Sequence, residues 1–539
     1  MITRGMWART AVLTAAAALT TFRPAAAEEH AVMAVRSADE LVSAVKLFLV
    51  AAGQEDAAKK VDAQLEQMFG GKGVPGVDGK RPLGVFVTLP PEIGGMPAVI
   101  GAVPITDKAA FQGTLKQLNL MVGEPDGELV PVESPNGKVF LRYAKDYVFG
   151  AQDPALLQGA LPDPAALAAA SKTNLIAAVF RLDRLPKEYR DLVREQFTKA
   201  VEDAKEEAKP GETAAEREAR IFGAKLASES LLTALEAGKE LFVGFNLDPK
   251  TQTVAAEVGF TANPGSAAAK AIAGLAPAPS LLGPPSPESA LYMAGRMPVS
   301  AEVRDAFTKL FAAGFQKALQ KEADPKEREK IEKFAKEALP ALSTDVIDGG
   351  MTIRAAGQDG TFVLLTGARV KDGKKLLSVV REMVKESPPK NGAEVKFDAA
   401  VYKGTALHYV KGKPNDGDKV EKMLGSAEGY LAFRDDVVLL AMGRQALPTI
   451  QDALDSLGRQ NPPTAPMLVQ MAFGKMAPLM EKDAEAWKKV AETVFTGADA
   501  GNDKMRLEFT GGEALKVRVE MSLTMIRAFT ELDRIKKGQ

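Results

Sequence analysis

The chain has 539 residues, with 69 Lys and Arg against 70 Asp and Glu, two His and no Cys. The lack of Cys excludes disulfides, thiol nucleophiles and Cys-ligated metal centres, and two His leave little material for a multi-histidine metal site. A net charge of −1 gives no electrostatic basis for binding nucleic acid or an anionic membrane. The hydrophobic fraction of 46% and the charged fraction of 26% indicate a folded protein with an apolar core.

The N-terminus has the features of a secretory signal peptide. Arg4 and Arg9 are basic, residues 10–22 form a short apolar stretch, and three Ala ending at Ala27 provide a cleavage site. We therefore expect cleavage near Ala27 to remove residues 1–27 and release a soluble protein into the periplasm or the medium. The cleaved segment contains three basic and no acidic residues, so the mature chain has 66 basic against 70 acidic residues, a net charge of −4. No later stretch is long and apolar enough to predict a membrane span.

Hydrophobic periodicity predicts that the first half of the mature chain, residues 28–275, alternates between strands and helices. The predicted elements are strand 31–36, helices 38–52 and 56–68, strands 83–89 and 97–105, a helix from 107, a strand-rich stretch over 128–151, strand 174–183, helices 186–209 and 213–237, hairpin 240–262 and helix 266–275.

A stretch rich in Pro, residues 276–289, has the composition of a linker and predicts the boundary to a second half, residues 290–539. The elements predicted there are strand 290–297, helices 300–321 and 325–342, hairpin 347–370, helix 372–386, strands 394–410 and 428–443, helix 445–458, strand 466–473, helix 478–495, hairpin 503–522 and helix 523–537.

The two halves repeat the same order of elements, as units of strand, helix, hairpin and helix. Each half also contains two apolar strands separated by a charged turn, at 145–146 and at 435–436. The alternative is that any α+β protein shows such an order loosely; the length of the match favours a tandem duplication. Adjacent hairpins predict antiparallel sheets with helices on one face, so we expect an α+β fold of two homologous halves.

The pattern over residues 31–537, behind a signal peptide, resembles uncharacterised, Ala-rich exported bacterial proteins with a duplicated domain of unknown function. This resemblance implies export and duplication, and it implies no active-site residues.

Two short motifs suggest chemistry but lack the right context. Gly71, Gly73 and Gly76 match the spacing of a dinucleotide-binding loop, but a helix precedes them and a strand follows, so we predict a flexible loop. Ser43 and Lys46 match the S-x-x-K pair of serine acyl-transfer enzymes, in which the lysine acts as base. No companion motif accompanies them, and we predict a surface or boundary position for Ser43 on an amphipathic helix.

The remaining candidate residues are isolated. His30 lies close to the predicted mature N-terminus, where we expect it to be mobile, and His408 lies in a strand, where we expect it to face solvent or an adjacent sheet residue. Asp416 and Asp418 resemble a calcium loop, but the spacing fails and flanking Lys residues oppose a cation, so we predict a polar turn. The many acidic residues leave a carboxylate-based active site open.

Because the usual reactive side chains are missing or isolated, we expect a non-enzymatic binding or scaffold module of the cell envelope, with no catalytic residues, metal or cofactor assigned. The first alternative is a carrier of a lipid or other apolar ligand in a cavity between sheets and amphipathic helices. The second is a metal-independent hydrolase that uses carboxylates or the Ser43–Lys46 pair. The sequence identifies neither the ligand nor the protein partner.

Overall fold

The computed structural model describes residues 29–70, 73–135, 137–206, 214–301, 304, 325–342, 344–357, 360–389, 392–412, 417–457, 461–477, 484–496 and 501–537. The predicted signal peptide and most of the helix predicted over 300–321 lie outside these residues.

Strands and helices alternate along the described chain, which confirms the α+β class. The strands are β1 (Ala31–Val35), β2 (Leu83–Thr88), β3 (Ala98–Pro104), β4 (Met121–Val122), β5 (Leu129–Ser134), β6 (Gly137–Ala144), β7 (Tyr147–Ala151), β8 (Ile176–Arg181), β9 (Gly238–Asp248), β10 (Thr253–Ala262), β11 (Ala278–Pro279), β12 (Ser289–Pro298), β13 (Val346–Ala355), β14 (Phe362–Arg369), β15 (Glu394–Tyr402), β16 (Thr405–Lys411), β17 (Glu428–Phe433), β18 (Val437–Met442), β19 (Pro463–Thr464), β20 (Met467–Ala472), β21 (Lys504–Thr510) and β22 (Leu515–Ser522).

The helices are α1 (Ala38–Ala51), α2 (Glu55–Phe69), α3 (Lys108–Gln117), α4 (Ala155–Gln158), α5 (Ala165–Ala170), α6 (Lys187–Glu206), α7 (Ala214–Ala237), α8 (Ala267–Gly274), α9 (Pro325–Leu342), α10 (Gly373–Glu386), α11 (Gly417–Leu424), α12 (Ala446–Leu457), α13 (Phe473–Met476), α14 (Ala484–Val494) and α15 (Leu523–Lys536).

The chain forms two compact units that interleave along the sequence. The first contains the described residues up to 196 together with 233–268 and 520–530. The second contains 197–232, 269–519 and the remaining described residues from 531.

The first unit contains an antiparallel sheet whose strands pair in the order β10–β9–β8–β1–β2–β3–β7–β6–β5–β4. Neighbouring residues of β7 point to opposite faces of this sheet. Phe149 packs with Leu157 of α4 and Leu167 of α5, while Val148 packs on the other face with Phe111 of α3. Helices therefore cover both faces of the sheet.

The second unit contains an antiparallel sheet with the order β21–β20–β12–β13–β14–β18–β17–β16–β15. Here Leu439 of β18 packs with Ile450 and Leu454 of α12, whereas Val438 packs on the other face beside Ala338 of α9. The prediction of helices on one face is therefore wrong for both units. β7 and β18 contain consecutive apolar residues, so each strand places apolar side chains on both faces of its sheet. Both faces must then be covered by helices.

Local sequence signals explain where several elements begin and turn. The carboxylate of Asp107 accepts a hydrogen bond from the Ala110 N–H at 2.5 Å at the start of α3, and Asp372 accepts one from Lys375 N–H at 2.8 Å at the start of α10. These are N-caps, which satisfy amide groups that have no partner within the helix.

Residues 276–289, predicted as a linker, pack within the second unit. Leu281 is only 4% exposed, and its backbone N–H donates to the buried carboxylate of Asp348 at 2.8 Å. The side-chain amide of Asn461 donates to the carbonyl of Ser280 at 3.0 Å, close to where β11 pairs with β19. Apolar side chains between the prolines anchor this segment over the sheet.

Candidate functional site

An apolar cavity of about 270 Å³ lies in the second unit, between helices α9 and α10 and the sheet. Its lining residues are Phe334, Ala338, Leu342, Thr366, Gly367, Ala368, Val370, Leu376, Val380, Phe433, Val438 and Leu440.

The regular geometry of helices and strands brings these side chains together. Phe334, Ala338 and Leu342 are four residues apart, so they form one stripe along α9. Thr366 and Ala368 of β14 are two residues apart, as are Val438 and Leu440 of β18, so each pair lies on one face of its strand. The floor of the cavity is therefore one face of the sheet, and the stripe on α9 forms part of its wall.

Ion pairs hold the two wall helices together next to the cavity. Lys333 of α9 lies 2.6 Å from a carboxylate oxygen of Glu382 and 3.1 Å from one of Glu386, both on α10. These hydrogen bonds raise the pKa of Lys333 above its ordinary value. Lys330 adds a hydrogen bond from its Nζ to the Ser387 hydroxyl at 2.7 Å.

Among the described residues, the cavity lining contains no titratable side chain. Its polar side chain is Thr366, and the Thr366 hydroxyl donates to the carbonyl of Gly350 at 3.0 Å. A lining of this kind offers no general acid, general base or nucleophile, whereas it would shield an apolar group from water. The apolar stripe on α9 can be recognised in the sequence. The sequence does not indicate that β14 and β18 are the strands that this stripe faces.

The Ser43–Lys46 pair does not form an acyl-transfer site. Ser43 is exposed on α1 and donates to the backbone carbonyl of Asp39 at 2.9 Å, while Lys46 forms an ion pair with Asp62 at 2.8 Å. The Ser43 hydroxyl is therefore directed at a backbone carbonyl and the Lys46 ammonium at a carboxylate, so the two groups do not act on each other. Ser43 lies at the surface, in agreement with the predicted surface or boundary position, and the version of the hydrolase hypothesis based on this pair is excluded.

The glycine loop is held in place in its described part; Gly71 lies outside the described residues. Gly76 has a φ of +78°, and a Cβ there would lie 2.2 Å from the backbone nitrogen of Phe111 in α3. The carbonyl of Gly76 accepts a hydrogen bond from Thr106 N–H at 2.9 Å. The prediction of a flexible loop is therefore wrong here: glycine is needed for close packing against a helix.

Both histidines are held by hydrogen bonds within the fold. The backbone N–H of Leu89 donates to Nδ1 of His30 at 3.1 Å. His30 is therefore held by the fold, contrary to the expectation that it is mobile. His408 is 1% exposed, and it accepts a hydrogen bond at Nδ1 from the backbone N–H of Asp398 at 3.0 Å. It packs between the rings of Phe397 and Phe433, so it faces sheet residues and not solvent.

The other predicted candidates form no metal site in the described structure. Asp416 lies outside the described residues, and Asp418 falls in α11, where a polar turn was predicted. Across the described part of the chain, no group of three His, Asp or Glu side chains is arranged to hold a metal ion.

Comparisons with known proteins identify no relative. No protein-family model, no curated protein and no solved structure matches this chain. Among the described helices, none combines the length and the apolar character needed to cross a bilayer.

Proposed function

We propose that this protein is an exported, non-enzymatic binding protein that accommodates the apolar part of a small ligand in the second unit. The observation that carries the proposal is the cavity of about 270 Å³ between α9, α10 and the sheet. It favours the carrier over a scaffold without a ligand, because a scaffold has no need of an open apolar pocket.

The size of the cavity supports this proposal. The pocket is open at its rim, where Leu342 and Ala368 are exposed, so it presents a concave apolar surface to solvent. An engineered apolar cavity of about 150 Å³ is sufficient to bind benzene. A cavity of about 270 Å³ therefore suits an apolar group with nearly twice the volume, such as a fused aromatic ring or a medium-length alkyl chain.

Export is the second part of the proposal. It is supported by the basic, apolar and small-residue segments of residues 1–27 and by the resemblance to Ala-rich exported bacterial proteins. A carrier of apolar molecules is useful in an aqueous compartment, where such molecules have low solubility.

The third part is a tandem duplication that gave rise to the two units. The pairing order β9–β8–β1–β2–β3–β7–β6–β5–β4 of the first unit corresponds, strand by strand, to β21–β20–β12–β13–β14–β18–β17–β16–β15 of the second. The charged turns also make equivalent hydrogen bonds: Asp146 O accepts from Ile105 N–H at 2.9 Å, and Asp436 O from Val370 N–H at 3.0 Å. These similarities support common descent of the two units.

Titration with the fluorescent, uncharged probe N-phenyl-1-naphthylamine tests the proposed apolar site. We expect saturable binding with one site per chain, and at least tenfold weaker binding after Ala368→Leu, which fills the cavity from its exposed rim. The matched control is Ala399→Leu, the same change at an exposed strand position outside the cavity, and its affinity should stay at the wild-type value. Equal affinities of the two variants, or no saturation by the wild type, would refute the proposed site.

A further inference from the structure

A second cavity, of about 90 Å³, lies on the opposite face of the same sheet. Leu365 and Leu439 line it, and each is adjacent in sequence to a residue that lines the first cavity. Because successive strand residues point to opposite faces, the sheet separates the two cavities. Residues 281–289 and helix α12 complete the walls of the second one.

The lining of this second cavity includes an arginine, Arg354, whose Nε has no hydrogen-bond partner in the described structure. Arg354 lies near the end of β13, opposite Ser289 of β12, and is about half buried. Its Nε is buried and, within the described structure, donates to no acceptor. Burial lowers the pKa of Arg354, and the charge of Asp452 partly opposes this effect. A buried donor without an acceptor destabilises a fold. Arg354 also lines the cavity, so an anion bound there would add a charge partner for its guanidinium.

The surroundings of Arg354 restrict what that acceptor can be. A guanidinium presents parallel N–H donors that match a carboxylate. The Ser289 and Thr352 hydroxyls, 3.1 Å apart, are further polar groups of the lining, and Leu365 and Leu439 provide aliphatic surface. Asp452 lies exposed at the cavity and disfavours a doubly charged anion such as phosphate.

We propose that this cavity binds a short aliphatic carboxylate, with Arg354 as the residue that anchors the carboxylate group. The volume of about 90 Å³ is about three-fifths of the cavity that holds the six carbons of benzene, so about four non-hydrogen atoms fit inside, and the rest of a slightly longer acid would extend through the open side of the cavity. Such a ligand is either an unsubstituted acid or a 2-amino acid, whose ammonium group would pair with Asp452. This site does not depend on the apolar cavity, and either can fail alone.

Calorimetric titration of the full chain with propionate and with alanine tests the proposal. We expect saturable binding of at least one of them, a loss of at least tenfold in affinity after Arg354→Gln, and an intermediate loss after Arg354→Lys, which keeps the charge but not the paired donors. Arg381→Gln is the matched control, because Arg381 lies outside this cavity and pairs with Asp398; its affinity should equal that of the wild type. Circular dichroism of each variant establishes that it is folded.

Asp452→Asn distinguishes the two classes of ligand, an unsubstituted acid and a 2-amino acid. If the ligand is a 2-amino acid, this variant loses affinity for alanine and not for propionate; if the ligand is an unsubstituted acid, propionate binds the variant at least as tightly as the wild type. Unligated Arg354→Met should unfold at the same or a higher temperature than the wild type, because it removes a buried donor that has no acceptor. No binding of either acid by the wild type at millimolar concentration, equal binding by Arg354→Gln, or tighter binding of inorganic phosphate would overturn the proposal.

Discussion

His408 shows how a buried side chain makes stability depend on pH. The Asp398 N–H donates to its Nδ1, so the proton of the neutral ring resides on Nε2, which is buried without a partner in the described structure. Desolvation lowers the pKa of His408; the Asp398 carboxylate acts in the opposite direction, and Arg381 adds to the lowering. The aromatic rings of Phe397 and Phe433 occupy the remaining space, so the fold favours the neutral ring.

The lowered pKa of His408 determines whether stability rises or falls with pH. A histidine with a lowered pKa in the folded state binds fewer protons there than in the unfolded chain, whose histidines titrate near pH 6.5. Stability is therefore lost as pH falls below about 6.5, by up to about 1.4 kcal/mol per pH unit, until the lowered pKa is reached. We expect the wild type to lose about 1 kcal/mol more than His408→Asn between pH 7.5 and 5.5, measured by urea unfolding. Equal losses in the two proteins would contradict this role of His408.

At the scale of elements, the turn between β6 and β7 is strained by its sequence. Lys145 and Asp146 have φ values of +51° and +57°, a conformation that favours Asn and Gly. We expect the double change Lys145→Asn and Asp146→Gly to raise the free energy of unfolding by about 1 kcal/mol, measured by urea denaturation. The hydrogen bond that the carbonyl of residue 146 accepts from Ile105 uses backbone atoms only and would be retained.

The corresponding turn of the second unit is a matched control. Asp435 and Asp436 connect β17 and β18, and neither residue has a positive φ. Their side chains also pair with Lys374 and Arg369. Asn and Gly at these positions should therefore not raise the free energy of unfolding. A rise equal to that at 145–146 would show that backbone strain is not the cause of the stabilisation there.

The sequence predicted most of these elements, because periodicity and turn residues act locally. The helix predicted over 325–342 matches α9 residue for residue, and the hairpin over 240–262 is formed by β9 and β10. Pro-rich composition predicted a linker over 276–289, but composition does not indicate whether such a segment packs against the fold. Leu281 and Leu282, between the prolines, are the missed sign that this segment lies over a sheet.

Neither cavity could be predicted, because each is formed where distant parts of the chain meet. The apolar cavity joins α9 to β18, about one hundred residues later, and the second cavity places Arg354 near Asp452. Sequence patterns show which face of an element is apolar, but not which face meets it or whether the two surfaces fill the space between them. The orphaned Nε of Arg354 likewise becomes visible only in the folded chain.

At the scale of the whole molecule, the absence of Cys and the near-zero net charge can both be interpreted in terms of the proposed export. A chain of 539 residues can form a large apolar core, so it can be stable in an oxidising compartment without disulfides. Export would remove Arg4, Arg9 and Arg23, which makes the mature protein mildly acidic. The proposed carrier would then be a negatively charged protein that conceals apolar surface in its interior.

This export is testable at single-residue resolution. Signal cleavage requires small residues at the first and third positions before the cut, here Ala27 and Ala25, and tolerates larger ones between them at Ala26. When the full sequence is expressed in a bacterium with two membranes, we expect the periplasmic product to begin at Glu28, as determined by intact mass. Ala27→Leu should block this cleavage and leave the precursor uncut at this site, whereas Ala26→Leu, the same change one residue earlier, should be processed normally. Recovery of the wild-type chain in the cytoplasm with residues 1–27 attached would refute export, and with it the compartment in which we place the carrier.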